Sequence, residues 1–161
     1  MRRSKTTMAI AFTLALMLVA VGQAGFLAGT QPDNLGVHGS RLAAPALTPN
    51  SVSSQSRLYP DNPQSQAAYI EPLAFKGEPG AAMARLAAVL VQTGGTVLVE
   101  QQENYLYAQS STSVLKFTDD VEFWLDPAAG VIHMRSASRL GHSDFGANRK
   151  RLEDIRLRFG N

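Results

Sequence analysis

From residue 81 onward the chain alternates between two apolar periods. Met83, Leu86, Ala87, Val89 and Leu90 recur near every 3.6 residues, and Gly94-Gly95 stop the run, which predicts a helix over 81–93. Residues 96–102 and 105–111 alternate and flank Glu103-Asn104, a hairpin pattern. Leu115, Phe117, Val121, Phe123 and Leu125 mark one face of a long strand over 114–125. A turn at 126–130 (DPAAG) leads to a strand over 131–139. Leu152, Ile155 and Phe159 share one face of a final helix over about 147–159, with Gly160 at its end. Upstream, 69–75 reads as a strand, and Pro72 makes it an edge. The order β-α-β-β-β-β-α predicts an α+β domain, a single antiparallel sheet of about five strands with two helices on one face.

The first 68 residues follow neither period. Arg2, Arg3 and Lys5 precede an uncharged apolar run, Met8 to Val21, followed by Gly22, Ala24 and Gly25. This is the pattern of an export signal, and the apolar character continues to Ala28, long enough for a retained anchor. Residues 1–28 are therefore expected to be a signal peptide or N-terminal membrane anchor. Either way, the positive flank places the rest of the chain outside the cytoplasm, in the periplasm or facing it. Residues 30–68 hold 5 Pro, 6 Ser, 3 Asn, 4 Gln and 2 Gly. The stretch 29–68 reads as a tether, partly packed on a folded domain at 69–161, and for 49–55 both an ordered turn and a linker stay open.

Charge changes the picture only once it is located. The chain of 161 residues has a formal net charge of +2 and 15 basic residues, three of them in the first five positions. Without those three, 12 basic residues face 13 acidic ones, so the folded part is near neutral and a nucleic-acid partner is not expected. Acids concentrate over 100–126 and bases from 135 to the end. There is no cysteine, which excludes a disulfide framework, a thiolate metal site, an iron–sulfur cluster and a cysteine nucleophile. No P-loop, G-x-G-x-x-G, G-x-S-x-G or H-x-x-x-H is present, so neither a cofactor nor a metal is expected.

Two stretches carry candidate chemistry. Asp119 falls on the apolar face of its strand, and a buried carboxylate needs a partner. If the 126–130 turn closes with Leu125 opposite Val131, Asp119 lies opposite Ala137 and diagonal to Arg135 and Arg139. Asp119, Asp120 and Glu122 are then expected in structural ion pairs. The run from Arg135 to Arg149 is dense in arginine, serine and glycine and enters a helix. Arg135, Ser138, Arg139, Ser143, Asn148 and Arg149 are the expected ligand-binding set, with helix-start amides favouring an anion. Competing expectations are a small hydrolase using Asp119 or Asp120 with His133 or His142, and a structural or interaction domain without a pocket. Trp124 is expected to pack on the sheet.

The strings Asn34-Leu35-Gly36-Val37, Pro49-Asn50-Ser51-Val52-Ser53-Ser54-Gln55, Tyr69-Ile70-Glu71-Pro72-Leu73, the DDVEF run at 119–123 and the RSASR…SD…NR string from Arg135 to Arg149 together resemble a family of bacteria and plants, the domain-of-unknown-function family 1499. The resemblance spans 34–159. It implies a small exported or membrane-tethered domain with no established activity, and it favours order over 49–55. Members often carry cysteines where this chain has Ala44 and Ser51, so no role of such a pair applies here. The resulting expectation is a non-enzymatic envelope module. Its partner would be an anionic or polar small molecule, a lipid headgroup, a glycan or an envelope protein, with membrane contact through the N-terminal segment if that is uncleaved.

Overall fold

The computed structural model describes residues 2–160, with side chains from Thr7. The described elements are α1 (Arg2–Gln23), β1 (Ser51–Ser53), a 3-10 turn (Ser56–Leu58), β2 (Leu73–Ala74), α2 (Pro79–Val91), β3 (Thr96–Gln101), β4 (Tyr105–Ser111), β5 (Thr118–Asp126), β6 (Val131–Ser138) and α3 (Ala147–Phe159). Six strands form one antiparallel sheet in the order β1-β6-β5-β4-β3, with β2 also on β6. The α+β class is as predicted. The additional strand is β1, whose three residues are too few to show a period, and the additional helix is the apolar N-terminal segment.

Two other boundaries moved for local reasons. Pro72 cuts the expected strand over 69–75 to two residues. Thr112 to Lys116 forms a turn, with Lys116 at φ 58°, so β5 begins at Thr118 and not near 114. The final helix spans the predicted residues.

The period of two gives the sheet two different faces. Leu106, Ala108, Val121, Phe123, Leu125, Ile132 and Met134 point toward α2 and α3, where Leu86, Leu90, Leu152 and Ile155 complete an apolar core. The opposite face presents Tyr105, Tyr107, Asp120, Glu122, Trp124, Arg135 and Arg139. An extended segment covers it, with Leu42 fully buried against Tyr105, Tyr107 and Trp124, and Leu35 and Val37 packed beside them. This cover has no regular period because directed hydrogen bonds hold it. Gln55 Oε1 accepts from the Leu42 amide at 2.8 Å, and Tyr59 donates its hydroxyl to the Leu42 carbonyl at 2.5 Å.

The apolar side chains of α1 meet little of the domain. Ile10, Phe12, Leu14 and Met17 are all exposed. Among the described residues, no helix is long and apolar enough to cross a membrane.

Candidate functional site

The covered face is built around two carboxylates inside the protein. Asp120 is 1% exposed and Glu122 0% exposed. Burying a carboxylate is costly unless charge and hydrogen bonds compensate, and here both do. Arg139 grips Asp120 with a two-pronged fork, Nε to Oδ2 at 3.0 Å and Nη2 to Oδ1 at 2.7 Å. Tyr107 donates its hydroxyl to Asp120 Oδ1 at 2.7 Å and accepts from Arg139 Nη2 and Gln109 Nε2. Glu122 receives Arg135 Nη1 at 2.9 Å, the Tyr105 hydroxyl at 2.9 Å and the Gly36 amide at 2.8 Å. The last bond ties the covering segment to the sheet.

Burial, then the neighbouring Glu122 charge, pushes the Tyr105 phenol up from its ordinary value. Burial and the hydrogen bond to Asp120 push Tyr107 up, while the bonds to Asp120 raise Arg139. Both tyrosines therefore stay protonated donors. The Nε of Arg135 is buried without a partner.

Beside this network lies a cavity of about 410 Å³. Tyr105, Tyr107 and Trp124 supply its aromatic floor, and Leu35, Gly36 and Val37 form one wall. Gln31, Glu100, Gln102 and Asn104 add polar groups. Its lining holds one carboxylate and no lysine or arginine. The hydroxyls of the floor are already committed to Asp120 and Glu122, and Leu42 packs on the rings, so Tyr105, Tyr107 and Trp124, 5%, 2% and 6% exposed, show the cavity only a little of their aromatic carbon. Gln31 Oε1 already accepts from Gln109 Nε2 and Gln102 Nε2 donates to Glu100 Oε1, so the carboxamide left to both donate and accept is that of Asn104.

The register corrects the expected ion pairing. Asp126, not Leu125, lies opposite Val131, and Asp119 lies opposite Ser138. The turn is one residue shorter than expected because Asp126 Oδ1 accepts the amides of Ala128 and Ala129. That single step places Arg135 and Arg139 on the face of Asp120 and Glu122. Asp119, on the helix side, instead pairs with Arg151 of α3 at 2.5 Å.

The six expected ligand-binding residues are not brought together. Arg135 and Arg139 lie in the network above. Ser138 and Asn148 face the helix layer, where Asn148 Nδ2 donates to Ser138 Oγ and to the Asn50 carbonyl, both at 3.0 Å. Asn148 Oδ1 accepts from Ser136 and Arg151. Ser143 accepts the Phe145 amide. Arg149 spends Nη2 on the carbonyls of Ala67 and Tyr69, both at 2.9 Å. At the start of α3, Asp144 accepts the amides of Gly146 and Asn148, so the protein's own carboxylate holds the place expected for an anion.

The residues expected to act as a hydrolase are also apart. Asp119 and Asp120 lie on opposite faces, and His142 is in an exposed loop. His133 lies opposite Trp124, four positions along β5 from Asp120, roughly 13 Å at the rise of a strand. His133 stacks on Trp124 with ring centroids 5.5 Å apart, contacts Ser54 Oγ through Nδ1 at 3.0 Å, and stands 3.6 Å from Asp126. Burial lowers its pKa, with Asp126 working against that shift. Ser54 is itself buried and takes the Met134 amide, so this trio joins β6 to the chain after β1. Among the described residues, no group of three or more His, Asp or Glu is placed to hold a metal.

The sequence reading missed Tyr105, Tyr107 and Arg151. A signal for the tyrosines was present. Tyr105-x-Tyr107, Asp120-x-Glu122-x-Trp124 and His133-x-Arg135 each repeat with period two, which marks a second, polar face.

A comparison with curated proteins gave no match. The family comparison is positive over residues 41–159, which include β1–β6, α2, α3 and Leu42 of the covering segment, but not Leu35, Gly36 and Val37. The chain therefore belongs to the family described as protein of unknown function (DUF1499).

Proposed function

We propose that this protein is an exported, non-enzymatic binding module whose ligand is an uncharged polar molecule of the glycan class, held in the cavity above Tyr105, Tyr107 and Trp124. The observation that carries this reading is the meeting of the Asn104 carboxamide, and what Gln31 and Gln102 leave unbonded, with the small exposed part of Tyr105, Tyr107 and Trp124. Sugar rings offer apolar C–H faces that lie on aromatic carbon, and hydroxyls that need groups able both to donate and to accept. A cavity lined by Glu100 without a lysine or arginine disfavours phosphate and carboxylate ligands. The buried arginine–carboxylate network supports the reading by fixing the floor before a ligand arrives. Export rests on Arg2, Arg3 and Lys5 and on the exposed apolar side chains of α1. The segment then acts either as a cleaved signal or as a retained anchor.

Trp124 is the sole tryptophan and lines the cavity, so its fluorescence reports occupancy directly. Titration with a β-1,4-linked N-acetylglucosamine tetramer should shift the emission in a saturable way. Asn104→Ala should weaken that response, and inorganic phosphate should give none. A saturable response to phosphate alone, or a sugar response unchanged in Asn104→Ala, would refute the glycan reading. An active reporter phosphatase fused to the C-terminus in a bacterial host would support export, and an inactive one would exclude it.

A further inference from the structure

One end of the sheet differs from the other in its surface. β4 ends, β5 begins and β6 ends there, as the pairs Ser111–Thr118 and Asp119–Ser138 show. The loops of this end expose Val114, Phe117, Leu140 and Phe145. Phe145 is 98% exposed and has φ 51°. The turn capped by Ser143 and Asp144 sets this backbone, but nothing in the domain covers the Phe145 ring. At the opposite end, loops 102–104 and 127–130 contain no large apolar side chain. Single exposed apolar residues are ordinary, but four gathered at one end are not scatter.

The foot of α1 stands at this same end. A Cβ on Gly22 would lie 2.5 Å from the Leu115 carbonyl oxygen, so helix and loop meet backbone to backbone. Gln23 Nε2 donates to the carbonyls of Ser113 and Val114 at 3.3 and 2.8 Å. A Cβ on Gly29 would lie 2.7 Å from Arg139 Cβ and 3.0 Å from Leu140 Cγ. Phe26, between these two contacts, is 79% exposed. The apolar surface of α1 therefore continues into the exposed side chains of the loops, and Lys116 adds a cation in the same loop.

We infer that this end of the domain is a membrane-contacting rim, with Phe26, Val114, Phe117, Leu140 and Phe145 seated at the headgroup–acyl boundary of the bilayer that holds α1. The inference rests on the reading of the apolar run from Met8 to Ala28 as a retained anchor, and it needs α1 to be embedded in the bilayer at Leu14, not to cross it by itself. Apolar side chains at that depth bury surface from water, and Lys116 meets the phosphate layer. The rim also sets an orientation. β4 starts at the cavity with Tyr105 and ends at the rim with Ser111, and its seven residues span roughly 20 Å. The part of the cavity lined by Gln102, Asn104, Tyr105 and Trp124 thus lies toward the end of the sheet away from the lipid.

The chain has no cysteine, so single cysteines can be labelled uniquely. The test uses the full-length protein in vesicles of phosphatidylcholine and phosphatidylglycerol, with an environment-sensitive fluorophore at Phe117→Cys, Leu140→Cys, Phe145→Cys, Leu14→Cys or Ala128→Cys. Nitroxide lipids labelled in the headgroup region or along the acyl chain serve as quenchers. The expected result is acyl-chain quenching at 14, headgroup-level quenching at 117, 140 and 145, and none at 128. Quenching at 14 with 117, 140 and 145 as unquenched as 128 would overturn the rim and leave the anchor standing. No quenching at 14 would overturn the anchor, and the rim with it. Equal quenching at 128 and at the three rim positions would overturn the orientation and the rim.

Discussion

The two faces of the sheet are buried by opposite means. On one, Val121, Phe123, Ile132 and Met134 meet Leu86, Leu90, Leu152 and Ile155 of two helices, and attraction depends on area rather than direction. On the other, Asp120, Glu122, Arg135, Arg139, Tyr105 and Tyr107 lie beneath a chain segment with no regular structure. Leu42, Leu35 and Val37 pack on its aromatic rings, but the charged residues are held by contacts that each have a donor, an acceptor and an angle. An apolar face tolerates many covers of suitable volume. A polar face accepts only the cover that completes its hydrogen bonds, as Gly36 does for Glu122. The difference suggests a division of labour in which the helix face supplies stability and the polar face supplies geometry, including that of the adjoining cavity.

The most damaging single change should fall on the polar face. Glu122→Ala leaves Arg135 charged and unpaired inside the protein, a loss of about 3–5 kcal/mol. Leu152→Ala on the helix face should cost about 2–5 kcal/mol through lost burial and a cavity. Single changes thus leave the faces looking alike, and a second change separates them. Glu122→Met combined with Arg135→Met removes both charges and should recover most of the lost stability. The same double variant should lose the Trp124 response to sugar, because the Tyr105 hydroxyl no longer has an acceptor to fix the floor. Urea unfolding of the three variants checks this. A double variant as unstable as Glu122→Ala would mean that the network is itself a source of stability, and the proposed division would fall.

Asp119 offers a smaller test on the boundary between the two regimes, since it is a charge on the helix-covered face. Its partner Arg151 also holds Ser136 and Asn148. Asp119→Ala should therefore cost about 1.5–3 kcal/mol, the range for a hydrogen bond to a charged group. The remaining bonds of Arg151 keep the loss below that of Glu122→Ala. A loss equal to that of Glu122→Ala would place Asp119 in the same class as the polar-face pairs.

The contrast between the faces also explains what could be read from the sequence. Leu152, Ile155 and Phe159 give a clean helical period, and α3 occupies the residues that period predicts. The helix face of the sheet was legible for the same reason. The polar face was not, because its order is nonlocal. Gly36 is bound to Glu122 and Leu42 to Gln55, and nothing in the intervening composition encodes those partners. The pairing of Asp119 was misplaced by one turn residue. A period of two makes a strand's faces easy to read and the register between strands easy to lose. The candidate site suffered most, since its floor comes from β4 and β5 and its wall from a segment that reads as a tether.

The smallest expected effect is a difference in pH response. Burial holds the His133 pKa below its ordinary value near 6.5, and Asp126 offsets only part of that shift. In the unfolded chain the imidazole takes up a proton as pH falls through about 6.5, while in the folded protein it resists until a lower pH. Over that window the unfolded state binds more protons. The contribution of neutral His133 is therefore whole above about pH 6.5 and is lost progressively as pH falls toward the folded value. Stability measured by urea unfolding from pH 7.5 to 5 should decline more in the wild type than in His133→Gln, which has no proton to bind. Ile132→Val, one residue away on the apolar face, should lower stability by about 0.5–1.5 kcal/mol, equally at every pH. Parallel profiles for the wild type and His133→Gln would show that burial does not hold this imidazole neutral. A pH-dependent loss in Ile132→Val would show that the two faces are coupled, because a core methyl group would then be changing the proton affinity of a side chain on the opposite side of the same strand.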